Sequence, residues 1–311
     1  MKITSCSSDV SCLYSLDVDS ILTHQIQAVA LDPNILKAIY QTGAPWEPYI
    51  DGELLPGQPL DVIPTGSYNR MPIMLGSVQD EGTMFVYSAI PLALNAAEYL
   101  VTLKTIFGSA ADTVHAMYPT LPSGQDNRVQ LSQVLTDSAF VCPILNVSVP
   151  MNQFNPVWLW HFNHSIDETQ VWGPDFAACA APGQVCHGAE LPFVFGTLQD
   201  AGYTWGPGEQ ALSQTMVLQW TNFALSGNPN SPASSVPSWP QLLAQQSPGN
   251  FQDLRFEVPT VAVETNYRLS VCQQWNQLGY GHGSYYGSSM SLARLFTRVN
   301  NALEVHRSLD Q

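Results

Sequence analysis

The sequence is poor in charged residues and poorer still in basic ones. Only 11% of its 311 residues are charged, and 10 Lys and Arg stand against 25 Asp and Glu, a formal net charge of −15. So acidic a chain repels phosphate backbones, which excludes nucleic acid as a partner. A hydrophobic content of 45% with so few charges also excludes a disordered polyelectrolyte. No apolar run reaches the length of a membrane span, so we expect no membrane partner.

The six cysteines include no C-x-x-C motif and have no histidine pair at zinc spacing. They fall into two close pairs and one distant pair: Cys6 and Cys12, Cys179 and Cys186, and Cys142 and Cys272. This distribution fits three disulfides, which require an oxidising compartment. Six buried thiols in a cytosolic protein are the alternative.

Two N-glycosylation sequons, at Asn146 and Asn163, also favour a secreted protein. The first nine residues, however, contain no apolar run that would form the core of a signal peptide. We therefore expect a secreted, extracellular protein whose export signal lies outside this sequence.

Strand-like and helix-like segments alternate along the chain. Compact apolar runs at 71–76 and 156–162 predict buried strands, and a short strand is expected at 251–257. Helical spacing of apolar residues occurs in five segments: 92–118, 127–150, 209–226, 267–278 and 290–303. This alternation indicates an α/β architecture.

The composition divides the chain into three parts. Residues 1–278 form the body, 279–287 a Gly/Tyr-rich linker, and 288–311 an amphipathic helical tail. The stretch 279–283 resembles a phosphate loop only superficially, because it lies between two helices and follows no strand. The tail is expected to pack on the body or on a partner helix.

Carboxylates follow the first predicted strand, between Gly76 and Thr83. Functional side chains of open α/β sheets gather just past the carboxyl ends of strands. The Asp80–Glu81 pair is therefore placed to orient a histidine. The structural alternative is that Asp80 caps a helix beginning near Thr83.

His187 is the candidate general base, because its loop contains Gly188 and leads into an apolar segment. An imidazole titrates near neutrality, as such a base requires; a surface loop histidine is the alternative. His161 and His164 resemble a short metal pair. Residues three apart on a strand face opposite sides, however, so no metal site is expected.

Several ordered segments carry a stronger signal than any one of these residues. They are YIDGELLP at 49–56, MPIMLG at 71–76, DEGTMF at 80–85, FVCP at 140–143, HGAELPFVFG at 187–196, WTNFALSGNP at 220–229 and CQQWN at 272–276. Together they resemble the type-B carboxylesterase/lipase family, which includes cholinesterases and secreted fungal lipases. The resemblance runs from about Cys6 to Leu278. It implies the C-terminal portion of an α/β-hydrolase fold, with a central mixed sheet flanked by helices and the N-terminal strands absent.

The resemblance also implies roles for individual residues. The family's triad acid falls on Glu81 and its triad base on His187, as in a serine hydrolase. No cofactor is expected. The family's disulfides imply the pairs Cys6–Cys12 and Cys142–Cys272. Cys179–Cys186 is our own inference, and it would stiffen the loop that presents His187.

The family's G-x-S-x-G nucleophile elbow and glycine-rich oxyanion loop do not occur in these 311 residues. The nearest approach, at 287–291, ends in Ser rather than Gly. We therefore expect the chain to be inactive alone and to need the N-terminal half of the same hydrolase. A non-catalytic, cholinesterase-like binding or adhesion module is the alternative hypothesis. Retention of both Glu81 and His187 favours descent from an active enzyme.

The substrate is only loosely indicated. Where cholinesterases carry two aromatic residues of their gorge, this chain has Met84 and Phe85. This difference argues against a choline ester and favours a general small-molecule or lipid ester. Met84 and Phe85 are therefore the candidate pocket residues.

Overall fold

The computed structural model describes residues 6, 9–20, 22, 50–230, 236–242, 251–279 and 292–309. The linker prediction and the imperfect elbow at 287–291 lie outside these residues, as does most of 21–49. The helices are α1 (Val10–Tyr14), α2 (Pro59–Val62), α3 (Glu81–Ala89), α4 (Ala96–Phe107), α5 (Ala111–Met117), α6 (Arg128–Leu135), α7 (Cys142–Met151), α8 (Thr169–Trp172), α9 (Leu191–Phe195), α10 (Glu209–Ser226), α11 (Leu269–Leu278) and α12 (Leu292–Leu309). The strands are β1 (Ile73–Val78), β2 (Val157–Phe162), β3 (Gln241–Leu242), β4 (Gln252–Phe256) and β5 (Ala262–Thr265).

The strands form one mixed sheet in the order β1-β2-β4-β5, with β3 also paired to β2. β1 and β4 run parallel to β2, whereas β3 is antiparallel to β2 and β5 to β4. The register of β1 on β2 places Gly76 opposite Trp160. A Cβ atom at Gly76 would lie 2.1 Å from the Trp160 ring, so only glycine fits there.

Helices cover both faces of the sheet. Alternate residues of β2 point to opposite faces, and both sets are buried. Trp158 and Phe162 pack in a cluster with α9 and α10, while Val157 and Leu159 pack in a cluster with α7. A third, mainly helical cluster joins α3 to α6, α11 and α12. The expected mixed sheet flanked by helices is present.

The C-terminal helix packs on this body. Val299 and Leu303 are buried in the helical cluster, and Asn300 Nδ2 donates to the carbonyl of Ala89 at 2.9 Å. Arg307 forms an ion pair with Glu98 of α4. The amphipathic tail thus covers a body helix within the same chain.

Three local expectations need correction. β3 and β5 were not predicted, because such short strands carry too few residues for a periodic signal. The first site helix begins at Glu81 rather than near Thr83, and the Asp80 side chain makes no capping bond.

The helix predicted over 127–150 is present, and it is built from α6, a π-helical turn (Thr136–Val141) and α7, which run on without a break. The resulting helix, Arg128–Met151, is long and apolar enough to cross a membrane by length and composition alone. It is partly buried inside the structure and contributes Leu131, Val134 and Val141 to the helical core. A core helix of a globular protein can have this length and composition as well.

Candidate active site

Glu81 is the first residue of α3, at the point where the chain turns out of β1. Its Oε1 atom accepts a hydrogen bond from the backbone N–H of Val78 at 2.9 Å. The next N–H, of Gly82, donates to Thr136 Oγ1 at 2.9 Å. Glu81 is only 6% exposed. These contacts fix the carboxylate at the carboxyl end of β1, where the sequence predicted it.

The loop that carries His187 is joined to the same turn by Asp80. The Asp80 N–H donates to the Val185 carbonyl at 2.9 Å, and the Val185 N–H donates back to Asp80 Oδ2 at 3.0 Å. Burial raises the pKa of Asp80, against the opposing effects of the Val185 N–H and the Arg268 charge. Asp80 therefore anchors the histidine loop instead of capping α3.

A disulfide and a glycine complete this loop. Cys179 and Cys186 are bonded, directly before His187. Gly188 follows with a φ of 85°, a left-handed conformation that side chains other than glycine rarely adopt. The bond and the turn together aim the imidazole back towards α3.

Glu81 and His187 are brought into direct contact across this turn. His187 Nδ1 lies 2.5 Å from Glu81 Oε2. The hydrogen bond to Glu81 raises the pKa of His187 despite its partial desolvation, and the charges of Glu81 and Glu190 add to the rise. The His187 side chain is 47% exposed and that of Glu81 only 7%. The contact uses Nδ1, so Nε2 is the ring nitrogen that Glu81 does not occupy.

Two phenylalanines flank the imidazole. The ring centroids of Phe85 and Phe140 lie 5.2 Å and 5.5 Å from that of His187. Phe85 was among the predicted pocket residues; Phe140 was known only as part of the FVCP motif, with no role assigned. Met84 is half-buried on α3 beside Phe85. The ring is therefore flanked by aromatic side chains, while its Nδ1 atom meets the Glu81 carboxylate.

Glu190 is a third carboxylate close to the pair. Its Oε2 atom is buried and has no hydrogen-bond partner among the described residues. Burial raises the pKa of Glu190, and the nearby Glu81 charge raises it further. Sequence reasoning gave this residue no role, although it stands three residues after His187.

The π-helical turn supplies further contacts that the sequence did not reveal. Thr136 accepts from Gly82, Phe140 flanks His187, and Asp137 forms an ion pair with Arg268 at 2.6 Å. A helical pattern at 127–150 does not show where a wider turn occurs. The turn changes which side chains face the site, as π-bulges often do at functional sites.

The remaining predicted residues lie elsewhere. Cys6 is bonded to Cys12, and Cys142 to Cys272. The Asn163 side chain donates to Glu257 Oε2 at 2.9 Å, and Asn146 lies within α7.

The two histidines that resembled a metal pair have separate partners. His161 contacts Asp253, and His164 Nε2 lies 2.8 Å from Glu209 Oε1. Among the residues that the structure describes, no group of His, Cys, Asp and Glu could hold a metal ion.

The architecture is similar to that of solved esterases. A structure titled thermophylic pNB esterase matches with a TM-score of 0.60 and 20% sequence identity, over 86% of this chain and 50% of that one. At this identity the likeness defines the fold alone: an α/β-hydrolase fold, as expected from the motifs.

The carboxylesterase family model matches residues 1–275, so the chain belongs to that family. It is 29% identical to the cAMP-regulated D2 protein of Dictyostelium discoideum, over 77% of this chain and 43% of that protein. It is 27% identical to an acetylcholinesterase of Bungarus fasciatus, over 86% of this chain and 43% of that protein. The family resemblance is confirmed, and the chain spans less than half the length of these relatives.

Proposed function

We propose that this chain provides the acid and the base of a carboxylic ester hydrolase, with Glu81 as the acid and His187 as the base. The observation that carries the proposal is the 2.5 Å contact between Glu81 Oε2 and His187 Nδ1, which leaves Nε2 for a substrate-side proton. Membership of the carboxylesterase family supports an ester-hydrolase function.

The chemistry follows from this geometry. His187 Nε2 takes the proton of a serine hydroxyl as its oxygen attacks the ester carbonyl, and later returns a proton to the leaving alcohol. Glu81 holds the imidazole in the tautomer with its proton on Nδ1 and stabilises the imidazolium that forms. The raised pKa of His187 agrees with this role, since the bond to Glu81 favours the charged ring.

The nucleophile and the oxyanion donors come from the N-terminal half of the same hydrolase. The 311 residues contain no G-x-S-x-G sequence. In the described part of the chain, no serine hydroxyl is hydrogen-bonded to His187. Among the strands of the described residues, β1 pairs with β2 alone.

The substrate is an uncharged small-molecule or lipid ester. Phe85 and Phe140 place two apolar rings beside His187, and Met84 lies on the same helix as Phe85. Apolar walls favour an acyl or alcohol group without charge, because burying an unpaired charge is costly.

The protein works in an oxidising, extracellular environment. Three disulfides and the absence of a free thiol among the described residues support this compartment. Glycan attachment at Asn146 and Asn163 stays a prediction.

Two measurements of p-nitrophenyl butyrate hydrolysis test the function. The 311-residue chain alone is expected to show no rate above buffer. A longer protein that joins this chain to the N-terminal half of such a hydrolase is expected to hydrolyse the ester. There, His187→Ala should lower kcat on the order of 10⁶-fold and Glu81→Gln on the order of 10⁴-fold, as for triad members of other serine hydrolases. His115→Ala, a histidine outside the site, serves as the matched control.

Two outcomes of these measurements would contradict the proposal. Hydrolysis by the 311-residue chain that His187→Ala abolishes would disprove the need for a second half. A longer protein that folds but hydrolyses no p-nitrophenyl ester would overturn the hydrolase function and favour a non-catalytic binding module.

A further inference from the structure

The turn that precedes Glu81 is held by more contacts than a strand end requires. Gln79 lies between β1 and Asp80, and its N–H donates to the Phe162 carbonyl at 3.0 Å. Its own carbonyl accepts from Arg268 Nη2 at 3.1 Å, and its Oε1 atom accepts from the Tyr267 hydroxyl at 3.0 Å. The last two donors come from the segment that leads into α11.

Arg268 is buried together with a carboxylate of the π-helical turn. Its Nη1 atom lies 2.6 Å from Asp137 Oδ1, with side-chain exposures of 12% and 3%. Asp137 Oδ2 accepts from the Tyr118 hydroxyl at 2.6 Å. Burial raises the pKa of Asp137, while the charge of Arg268 opposes that rise. The guanidinium thus reaches the π-helical turn and the Gln79 carbonyl at once.

Both ends of this bridge lead to the Glu81–His187 pair. On one side, Gln79 is two residues before Glu81. On the other, Asp137 is flanked in the π-helical turn by Thr136, which accepts from Gly82, and is followed by Phe140, which packs on His187. A shift of either element would move the carboxylate relative to the imidazole.

Attachment of α11 to the rest of the body does not by itself account for a buried arginine at position 268. Cys142–Cys272 already joins α7 to α11, one turn beyond the bridge. Arg268 itself has a φ of 50°, a left-handed conformation that is unfavourable for a residue with a long side chain. The fold keeps this conformation at the residue whose planar guanidinium donates to three partners, Asp137, the Gln79 carbonyl and the Tyr267 hydroxyl.

We propose that Arg268 is a positioning residue: its guanidinium, neutralised by Asp137, locks the Gln79 carbonyl to the π-helical turn and so fixes Glu81 and Phe140 around His187. The catalytic meaning of this role rests on the proposed function. The positioning of Glu81 against His187 does not rest on it, because the proton affinity of His187 can be measured without substrate.

The test is an NMR titration of the His187 imidazole in the 311-residue chain, together with thermal unfolding. Arg268→Met removes a positive charge, which by electrostatics alone would increase the proton affinity of His187. Loss of positioning acts in the opposite direction, because Glu81 no longer holds Nδ1. We expect the proton affinity of His187 to fall by about threefold or more.

Three further variants separate position from stability. Arg268→Met with Asp137→Asn leaves no unpaired buried charge, so it should recover most of the melting temperature yet keep the lowered proton affinity. Arg268→Lys keeps the charge without the two-pronged fork and should give an intermediate affinity. Arg307→Met, whose partner is Glu98 on α4, is the matched control and should leave His187 unchanged.

Unchanged or increased proton affinity of His187 in the double variant would overturn the proposal and reduce Arg268 to a structural ion pair. A fall in affinity in a protein that proves to have no esterase activity would leave the positioning role intact and overturn only the proposed function.

Discussion

Two histidine–carboxylate pairs of this chain look alike in chemistry and differ in surroundings. His161 on β2 contacts Asp253 through Nδ1, its Nε2 atom lies 3.4 Å from Glu264 Oε2, and it is 1% exposed. Its ring stacks on Tyr267 at a centroid distance of 4.0 Å. His187 meets Glu81 through Nδ1 as well, but its side chain is 47% exposed.

Access to the ring nitrogens separates the structural pair at His161 from the candidate catalytic pair at His187. Both ring nitrogens of His161 face carboxylate oxygens and the ring face is covered, so no substrate can reach it. His187 commits one nitrogen to a buried carboxylate and presents the other. A general base needs this second, open nitrogen.

Removal of each imidazole gives the largest expected contrast. His161→Ala should lower the free energy of unfolding by about 3–5 kcal/mol, because it leaves the buried Asp253 without its partner. His187→Ala should cost less than about 1 kcal/mol, since its ring is half exposed and the buried Glu81 keeps its hydrogen bond from the Val78 N–H and gains access to water in place of the ring. Urea unfolding at neutral pH measures both. His161→Asn, which keeps a donor near Nδ1, is the control and should recover part of the loss. Equal losses at the two sites would remove the distinction between them.

Chemical modification compares the two rings in the unaltered protein. Diethylpyrocarbonate should modify His187 at least about tenfold faster than His161, because reaction requires an accessible ring nitrogen. Peptide mass spectrometry after timed exposure gives both rates in one sample. In urea-unfolded chain the two rates should converge. Faster modification of His161 in the folded protein would contradict the assignment of the open site to His187.

The smallest effect is the pH dependence of the Glu81–His187 contact. The pKa of His187 is raised in the folded state, so the contact stabilises fully below the ordinary histidine pKa of about 6.5 and loses this contribution as pH rises through the folded value. The stability difference between wild type and Glu81→Gln should therefore shrink with rising pH. Its size should stay below about 1 kcal/mol, because the exposed imidazole is screened by solvent.

The matched background for this measurement is His187→Gln, in which the pH-dependent part of the difference should vanish. A difference that grew with pH in the wild-type background would mean that the contact favours the neutral ring.

Much of the fold was predictable because local hydrophobic patterns identify its helices and strands. The apolar runs that became β1 and β2 and the spacing that became α10 need no distant contact to be recognised. β5 was missed because only pairing with β4 makes its four residues a strand. The role of Asp80 was misread because its partner, Val185, is distant in sequence.

The sequence by itself determined the family, through motifs that keep their order, and with it the expectation that Glu81 and His187 belong together. Only the tertiary structure decided how they meet: by a direct contact of His187 Nδ1 with Glu81 Oε2, with the histidine loop held by Asp80 and an aromatic flank from Phe140. The physical reason is that the order of the motifs is a property of the linear sequence and can be recognised without the fold. Hydrogen bonds and burial depend on distances between residues that are about a hundred positions apart.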